Sequence, residues 1–379
     1  MIIKNGLVMN EEFQLVKCDL RIENGVIAEI GHNLSGEGVD AEGLYVLPGF
    51  IDTHIHGANG VRISDKNGDL SKITTFEATQ GVTGLAITSG SSQYDSLLKQ
   101  FQMAAEAAKT APGAKCLGIH AEGPFLSKER KGAMNVDNLI EPSREKLDCM
   151  IEAAGGLLKL ITIAPDTEEG RALISYAVSR GLTVSMGHTV SDYDTAMKGI
   201  EAGATRATHT FNAMKGLHHR EPNLLGAALT EDAITCEMIC DFVHLHPAIV
   251  KLIYRAKGAD KICIISDSGH AAGMEIDCFE VDGIMRYVKD KVIRLADGTI
   301  AGSAMTMLDG VRHLVQTLEI PLEDVSKMVS LNPAKGLKME DKTGSIGLGK
   351  CADLVLMDQQ LNVVATYVDG ICVFQNKER

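Results

Sequence analysis

His54 and His56 stand two residues apart in GFIDTHIHG, and that spacing is the sharpest chemical signal in the chain. On a β-strand, residues i and i+2 face the same way, so both imidazoles would point at one spot. Taken alone, such a pair is satisfied by hydrogen bonds more often than by a metal. Its company changes the reading. Glu122 in HAEG, His188 in GHT, His209 in THT, His244 in DFVH and Asp267 in ISDS each close an apolar run. Imidazoles and carboxylates arriving from several strands form the donor set that Zn²⁺ accepts, with a position left open for water in a catalytic site. A carboxylate beside such a water can move protons; the competing reading of Asp267 is a helix cap with Ser268. Asp166 in PDTEEG is read as the N-cap of the helix that follows it.

These residues need elements to bring them together. Apolar β-type runs fall at 49–57, 82–90, 115–123, 158–166, 182–189, 204–210, 234–245 and 261–269, with helical stretches such as YDSLLKQFQMAAEAAK and EEGRALISYAVSR between them. Alternation of this kind predicts βα repeats around a parallel sheet, and eight repeats predict a closed (β/α)₈ TIM barrel. Barrel active sites lie at the C-terminal strand ends, which is where these ionisable residues fall. Residues 1–48 read as short β-type runs with Asn-Gly turns at 5–6 and 24–25, and the segment from Gly344 onward has the same texture. The two ends are expected to pair into one β unit, giving domain limits of 1–48 and 336–379 around a barrel of 49–335.

Composition narrows the function classes. A net charge of −13 with no cluster of Lys and Arg argues against a nucleic-acid surface, while leaving room for a small anionic substrate met by local positive groups. No stretch approaches the ~18 apolar residues of a membrane span, and the first residues lack a secretory pattern, so the expected location is cytoplasmic. Nine cysteines without a CxxC pair predict free thiols, with Cys236 and Cys240 in a buried strand rather than in a metal site.

The segment PGFIDTHIHG (48–57) resembles the opening of the barrel in the amidohydrolase superfamily. HAEGPF (120–125), KGAMN (131–135), GHT (187–189), THTFNAM (208–214), HHREPNLLGAAL (218–229), ISDS (265–268) and TIAGSAMTM (299–307) resemble, in order, segments of its N-acetylglucosamine-6-phosphate deacetylase family. The resemblance covers nearly the whole chain. It implies a TIM barrel with a small β-sandwich built from both termini, and hydrolysis of the N-acetyl group of a phosphorylated amino sugar. It makes Glu122, His188 and His209 metal ligands and Asp267 the acid/base. His54 and His56, which some members lack, imply capacity for a second metal bridged by Glu122. The implied cofactor is a divalent metal, Zn first with Fe, Mn or Co as alternatives, one or two per subunit.

For the substrate, the resemblance implies a homodimer in which Arg220 reaches the sugar phosphate in the neighbouring active site. Asn212 and Ala213 would also touch the phosphate, and His244 a sugar hydroxyl. Ile300, Ala301 and Gly302 would wall the N-acetyl pocket, with Ala133 and Met134 on a further substrate loop. Met134 is a departure: the family pattern KGAH has a histidine there, and a thioether cannot donate a hydrogen bond. That leaves the hexosamine open, N-acetylgalactosamine-6-phosphate included. Two other readings stand beside this one. A cyclic-amide hydrolase or deaminase could use the same barrel, although the fourth run offers no lysine at its end, where a dihydroorotase-type site would place one. A non-catalytic sugar-phosphate sensor would be expected to have lost Asp267 or Glu122, and both are present.

Overall fold

The computed structural model describes residues 1–65, 69–281 and 283–377. Strands β1 (Phe50–Ile55), β2 (Val82–Ser89), β3 (Lys115–Glu122), β4 (Leu158–Ile163), β5 (Thr183–Met186), β6 (Arg206–Ala207), β7 (Thr235–Ile239) and β8 (Ile262–Ile265) pair in chain order as one parallel sheet. Nearly every residue in them is buried, as strands covered on both faces must be. The sheet closes on itself where β1 meets the end of β8: Asp267 N donates to His54 O at 2.9 Å and His56 N to Ser268 O at 2.8 Å. The result is a TIM barrel.

Helices α1 (Leu70–Thr79), α2 (Tyr94–Ala107), α3 (Arg144–Ala153), α4 (Glu168–Ser179), α5 (Tyr193–Glu201), α6 (Asn223–Thr230), α7 (Pro247–Lys257) and α8 (Met307–Arg312) cover the strands. Each presents an apolar stripe at helical spacing, such as Leu97, Phe101 and Ala104 of α2. Side-chain caps fix the starts of six of these helices, Ser143, Thr167 and Asp192 among them, while α2 and α6 have none. The cap of α4 is therefore Thr167 and not Asp166. With Gly170 N donating to the Thr167 hydroxyl, the Asp166 carboxylate is free to turn across the mouth, where it accepts from the Thr189 and Ser191 hydroxyls. The sixth run, expected over 204–210, shortens to two residues because the chain leaves the sheet in left-handed conformations at His209, Phe211 and Ala213.

Strands from both chain ends share one mixed eight-stranded sheet, curled over a core that includes Ile3, Leu20, Val46, Leu354 and Tyr367. Asn24 and Gly25 form the expected hairpin turn, with φ of 51° and 80°. Asn5-Gly6 does not turn. It is a bulge inside the strand Ile2–Met9, where Asn5 N donates to Asp19 Oδ1 at 2.8 Å. Between β8 and α8 lies an element that the sequence reading does not assign: a four-stranded antiparallel sheet of Cys278–Val281, Ile284–Lys289, Val292–Leu295 and Ile300–Ser303. All nine cysteines are free, and Cys236 and Cys240 are buried. Among the described residues no helix is long and apolar enough to cross a membrane.

The bottom of the barrel is plugged by Ile51, Ala86 and Leu117 packed on Ala334 and Leu337. Gly336 sits against the guanidinium of Arg206, where an added Cβ would lie 2.0 Å from Nη1. Arg206 has little room to retreat, because its Nη2 donates to Thr53 Oγ1 at 3.0 Å and to Glu237 Oε1 at 3.1 Å. Gly336→Ala is expected to cost about 1–3 kcal/mol of stability through overpacking, read as a fall in the urea midpoint. Gly216→Ala, where a Cβ meets nothing within 4 Å, is the control that should leave the midpoint in place.

Candidate metal centre

Glu122, at the end of β3, is the hub of the barrel mouth. Its Oε1 lies 3.1 Å from His188 Nε2, 3.0 Å from His209 Nε2 and 3.5 Å from His54 Nε2, and its Oε2 lies 3.4 Å from His56 Nε2. Asp267 Oδ1 is 3.3 Å from His56 Nε2 and 3.6 Å from His54 Nε2. The six side chains thus form two adjacent triplets, His54/His56/Asp267 and Glu122/His188/His209, each with donor atoms within 4.8 Å of one another. His188, His209 and Asp267 have φ of 47°, 28° and 47° just past their strands, left-handed turns that swing the side chains over the mouth. Such conformations cost of order 1–3 kcal/mol each and persist where surrounding structure over-determines them.

Hydrogen bonds fix which ring nitrogens face inward. His188 Nδ1 lies 2.7 Å from the carbonyl of Arg130, an acceptor only, so Nδ1 carries the hydrogen and Nε2 turns its lone pair to Glu122. His54 Nδ1 lies 3.2 Å from Glu237 Oε2, with the same consequence. His54 Nε2 is buried without a hydrogen-bond partner, facing carboxylates. Lone pairs aimed at carboxylate oxygens repel unless a proton or cation lies between them. The residues therefore fit divalent cations, both in donor chemistry and in the orphaned nitrogen.

Charge responds accordingly. Burial alone would raise the Glu122 carboxyl, but His54 first, then His188 and His209, hold it well below the usual carboxylate range. Asp267 is lowered against its own burial by His54 and His56. Burial disfavours the charged form of His56, yet the Asp267 and Glu122 carboxylates outweigh it and push its pKa up to about 9.

A second tier of residues, none of them placed in the site by sequence reasoning, supports the first. Glu237 of β7 is wholly buried, and its carboxyl is held below its ordinary range against burial by Arg206 and His54. His120 of β3 meets the carbonyl of Thr53 through Nδ1 at 3.2 Å and Thr162 Oγ1 through Nε2 at 2.9 Å. Burial, and then His54, pushes it down to about 3, so it is neutral. Asp166 ties down the loop that follows His188. The available signal was a charged residue inside an otherwise apolar run, as in ITCEMIC and ATRAT.

The residues expected to meet substrate lie outside the six donors, on loops and on the inserted sheet. Asn212 and Ala213 follow His209, with Asn212 Nδ2 donating to His209 O at 3.2 Å and Ala213 O accepting from Thr189 N. His244 Nδ1 meets Asp241 Oδ2 at 2.5 Å, which leaves Nε2 as the free acceptor. Ile300, Ala301 and Gly302 lie on the last strand of the inserted sheet, and the next residue, Ser303, donates its amide to Asp267 O at 3.1 Å. Ala133 lies beside Met134, and Met134 lines a cleft of about 210 Å³ with Glu122, Ser91, Ser92 and Asn138. Arg220 is not part of the cluster: it is exposed, with Nη1 2.7 Å from His219 Nε2. His246 caps α7.

The sequence model of the amidohydrolase family matches residues 45–373. The chain is 34% identical over 377 residues to the N-acetylglucosamine-6-phosphate deacetylase of Lysinibacillus sphaericus, covering 98% of this chain and 97% of that one. It is 31% identical over 373 residues to the N-acetylgalactosamine-6-phosphate deacetylase of Escherichia coli O157:H7, covering 97% and 98%. Among solved structures, a mutant N-acetyl-D-glucosamine-6-phosphate deacetylase from Mycobacterium smegmatis in complex with N-acetyl-D-glucosamine-6-phosphate superposes with a TM-score of 0.92 at 29% identity, over 99% of both chains.

The raised His56 has a signed consequence. Its folded pKa of about 9 lies above its ordinary 6.5, so in metal-stripped protein its ion pairs stabilise fully below 6.5 and are lost as pH rises through 9. A divalent ion must displace that proton, so affinity rises over the same window. Melting temperatures of chelator-treated protein should fall, and Zn²⁺ affinity should climb, between these limits. Affinity flat across the window would contradict a protonated His56.

Proposed function

Since the chain belongs to the amidohydrolase family, we propose that it hydrolyses the N-acetyl group of N-acetylglucosamine-6-phosphate, releasing acetate and the amino-sugar phosphate. The observation that carries this reading is Asp267, a half-buried carboxylate 3.3 Å from His56 on the rim of a six-donor centre, in a chain that matches deacetylases over nearly its full length. Glu122, His188 and His209 would hold one divalent cation, and His54, His56 and Asp267 a second that shares Glu122. Zinc suits the histidine-rich donors best, with Fe, Mn or Co as alternatives. The cation supplies Lewis acidity that makes water acidic near neutral pH and polarises an amide carbonyl.

The chain's own residues do the rest. Asp267 accepts a proton from the attacking water and delivers it to the departing nitrogen, because an amine must leave protonated. Its lowered pKa keeps it ready as the base. His244, with Nδ1 donated to Asp241, offers Nε2 to a sugar hydroxyl. Ile300, Ala301 and Gly302 present a small lining suited to the acetyl methyl. Asn212 and Ala213 turn toward the phosphate, and Ala133 and Met134 border the sugar. Arg220 is exposed, as is Leu217 three residues earlier in the same loop, at 47%. This suits an arginine that completes the site of a second subunit in a homodimer, its planar fork gripping phosphate bidentately. A charged sugar phosphate and nine free thiols suit work in the cytoplasm.

Acetate release from N-acetylglucosamine-6-phosphate, its galacto epimer and both unphosphorylated sugars tests the reaction. The phosphorylated sugars should react, and Asp267→Asn should lower the rate roughly 10²- to 10⁴-fold. A preference for the galacto epimer would assign the Met134 departure to substrate choice, and silence on both phosphates would sink the reading. The dimer has its own test: mixing inactive Asp267→Asn and Arg220→Ala subunits should restore up to about a quarter of the wild-type rate, since half of randomly paired dimers carry one intact site. No recovery after subunit exchange would remove Arg220 from the partner's site.

A further inference from the structure

Behind the six donors, one carboxylate touches both triplets. Glu237 Oε2 accepts from His54 Nδ1 at 3.2 Å and from His209 N at 3.2 Å, while Oε1 is taken by Arg206 Nη2 at 3.1 Å. The Glu237 backbone carbonyl adds a bond from Thr210 N at 2.9 Å, so the left-handed turn that carries His209 hangs on this one residue by two contacts. His54 and Glu237 have no exposed side-chain surface, and Arg206 is 2% exposed, so solvent cannot replace these bonds. The direction of every hydrogen follows. Arg206 can only donate and a carboxylate can only accept, so His54 must offer Nδ1–H to Oε2 and keep the Nε2 lone pair for the mouth.

The geometry points to Glu237 as the positioning residue that couples the two halves of the centre, setting the tautomer of His54 and the turn of His209 from a single oxygen. This rests on the reading that the six side chains hold divalent cations. Arg206 is part of the device rather than a structural partner only, because by claiming Oε1 it dictates what faces His54. In a Glu237→Gln variant Arg206 would keep the amide oxygen, and the amide NH₂ would be forced toward His54 Nδ1 and His209 N. His54 would then have to accept at Nδ1 and carry its hydrogen on Nε2, where it blocks the cation. Remove Arg206 as well, and the amide can rotate to offer its oxygen to both donors.

Zn²⁺ affinity of the full-length, metal-stripped protein, measured by competition with a chromophoric chelator, reads this directly. Folding of each variant is checked by thermal melting. Partners that orient metal-ligating histidines typically contribute 10- to 100-fold in affinity. Glu237→Gln should lose that much. Arg206→Met with Glu237→Gln should recover most of it. Arg206→Met with Glu237→Leu, which buries no charge but offers no acceptor, should not recover. The two double variants decide the question even where Glu237→Gln alone fails to fold around a stranded guanidinium. Equal affinity in the two double variants, or a folded Glu237→Gln with wild-type affinity, overturns the inference and leaves the metal centre standing. A wild-type protein that takes up no Zn²⁺, or whose uptake is indifferent to His188→Ala, overturns the centre and the inference together.

Discussion

Glu122 sets the constraint that the rest of the mouth obeys. Its carboxylate is buried, and a buried anion is tolerated only when paired and hydrogen-bonded. Four imidazoles supply the pairing, from the end of β1 and from the turns after β5 and β6. None is sequence-local to Glu122, so the barrel must close with these strand ends level before the charge is balanced. The left-handed turns at His188, His209 and Asp267 belong to the same solution. An unstrained continuation of each strand would carry the side chain away from the axis, and the strain is offset by the interactions that end it.

The barrel is sealed at the place where it works. The join between β1 and β8 is made by the backbone of His54, His56, Asp267 and Ser268, so the acid/base candidate and the His-x-His pair are hydrogen-bonded neighbours before any side chain is considered. Asp52 clamps the seam from behind, its Oδ1 accepting from His54 N at 3.1 Å and Ser266 N at 3.4 Å. The inserted sheet continues the pairing outward, with Gly269 N donating to Ser303 O at 3.0 Å. The wall proposed for the acetyl group and the carboxylate proposed to serve its hydrolysis therefore move as one piece of backbone.

What the sequence could disclose follows from this arrangement. Strand ends were legible because parallel buried strands read as apolar runs, and an ionisable residue closing such a run is conspicuous; this brought His54, His56, Glu122, His188, His209 and Asp267 into view. Glu237 and Arg206 sit within their runs, where a charge reads as an interruption, and only the fold shows that they face each other inside the barrel. Asp166 looked like a helix cap because its neighbour Thr167 does that job one residue later. Asn5-Gly6 looked like a turn because a bulge needs the same left-handed residue. The inserted sheet escaped because its strand Ile284–Lys289 exposes Ile284, Met285 and Tyr287, which blurs the alternation that marks a half-buried strand.

Below the charged layer the barrel holds a neutral polar one, buried and hydrogen-bonded across strands. The Thr53 carbonyl requires His120 to donate from Nδ1, so Nε2 accepts from the Thr162 hydroxyl, which lies 2.9 Å from the Thr208 hydroxyl, and Thr208 in turn donates to Ser185 at 2.6 Å. A buried network of this kind resists substitution, because a change leaves a donor or acceptor unmet. The candidate metal centre is thus locked into the barrel by networks that cross strands. Met134, Arg220 and His244 are attached differently, on loops whose bonds are mostly to their own neighbours. A histidine could become Met134 without disturbing a single bond of the centre. The physical expectation is a fixed hydrolytic chemistry beneath a rim free to choose its sugar, and the difference between the two lies in how far each residue's partners are along the chain.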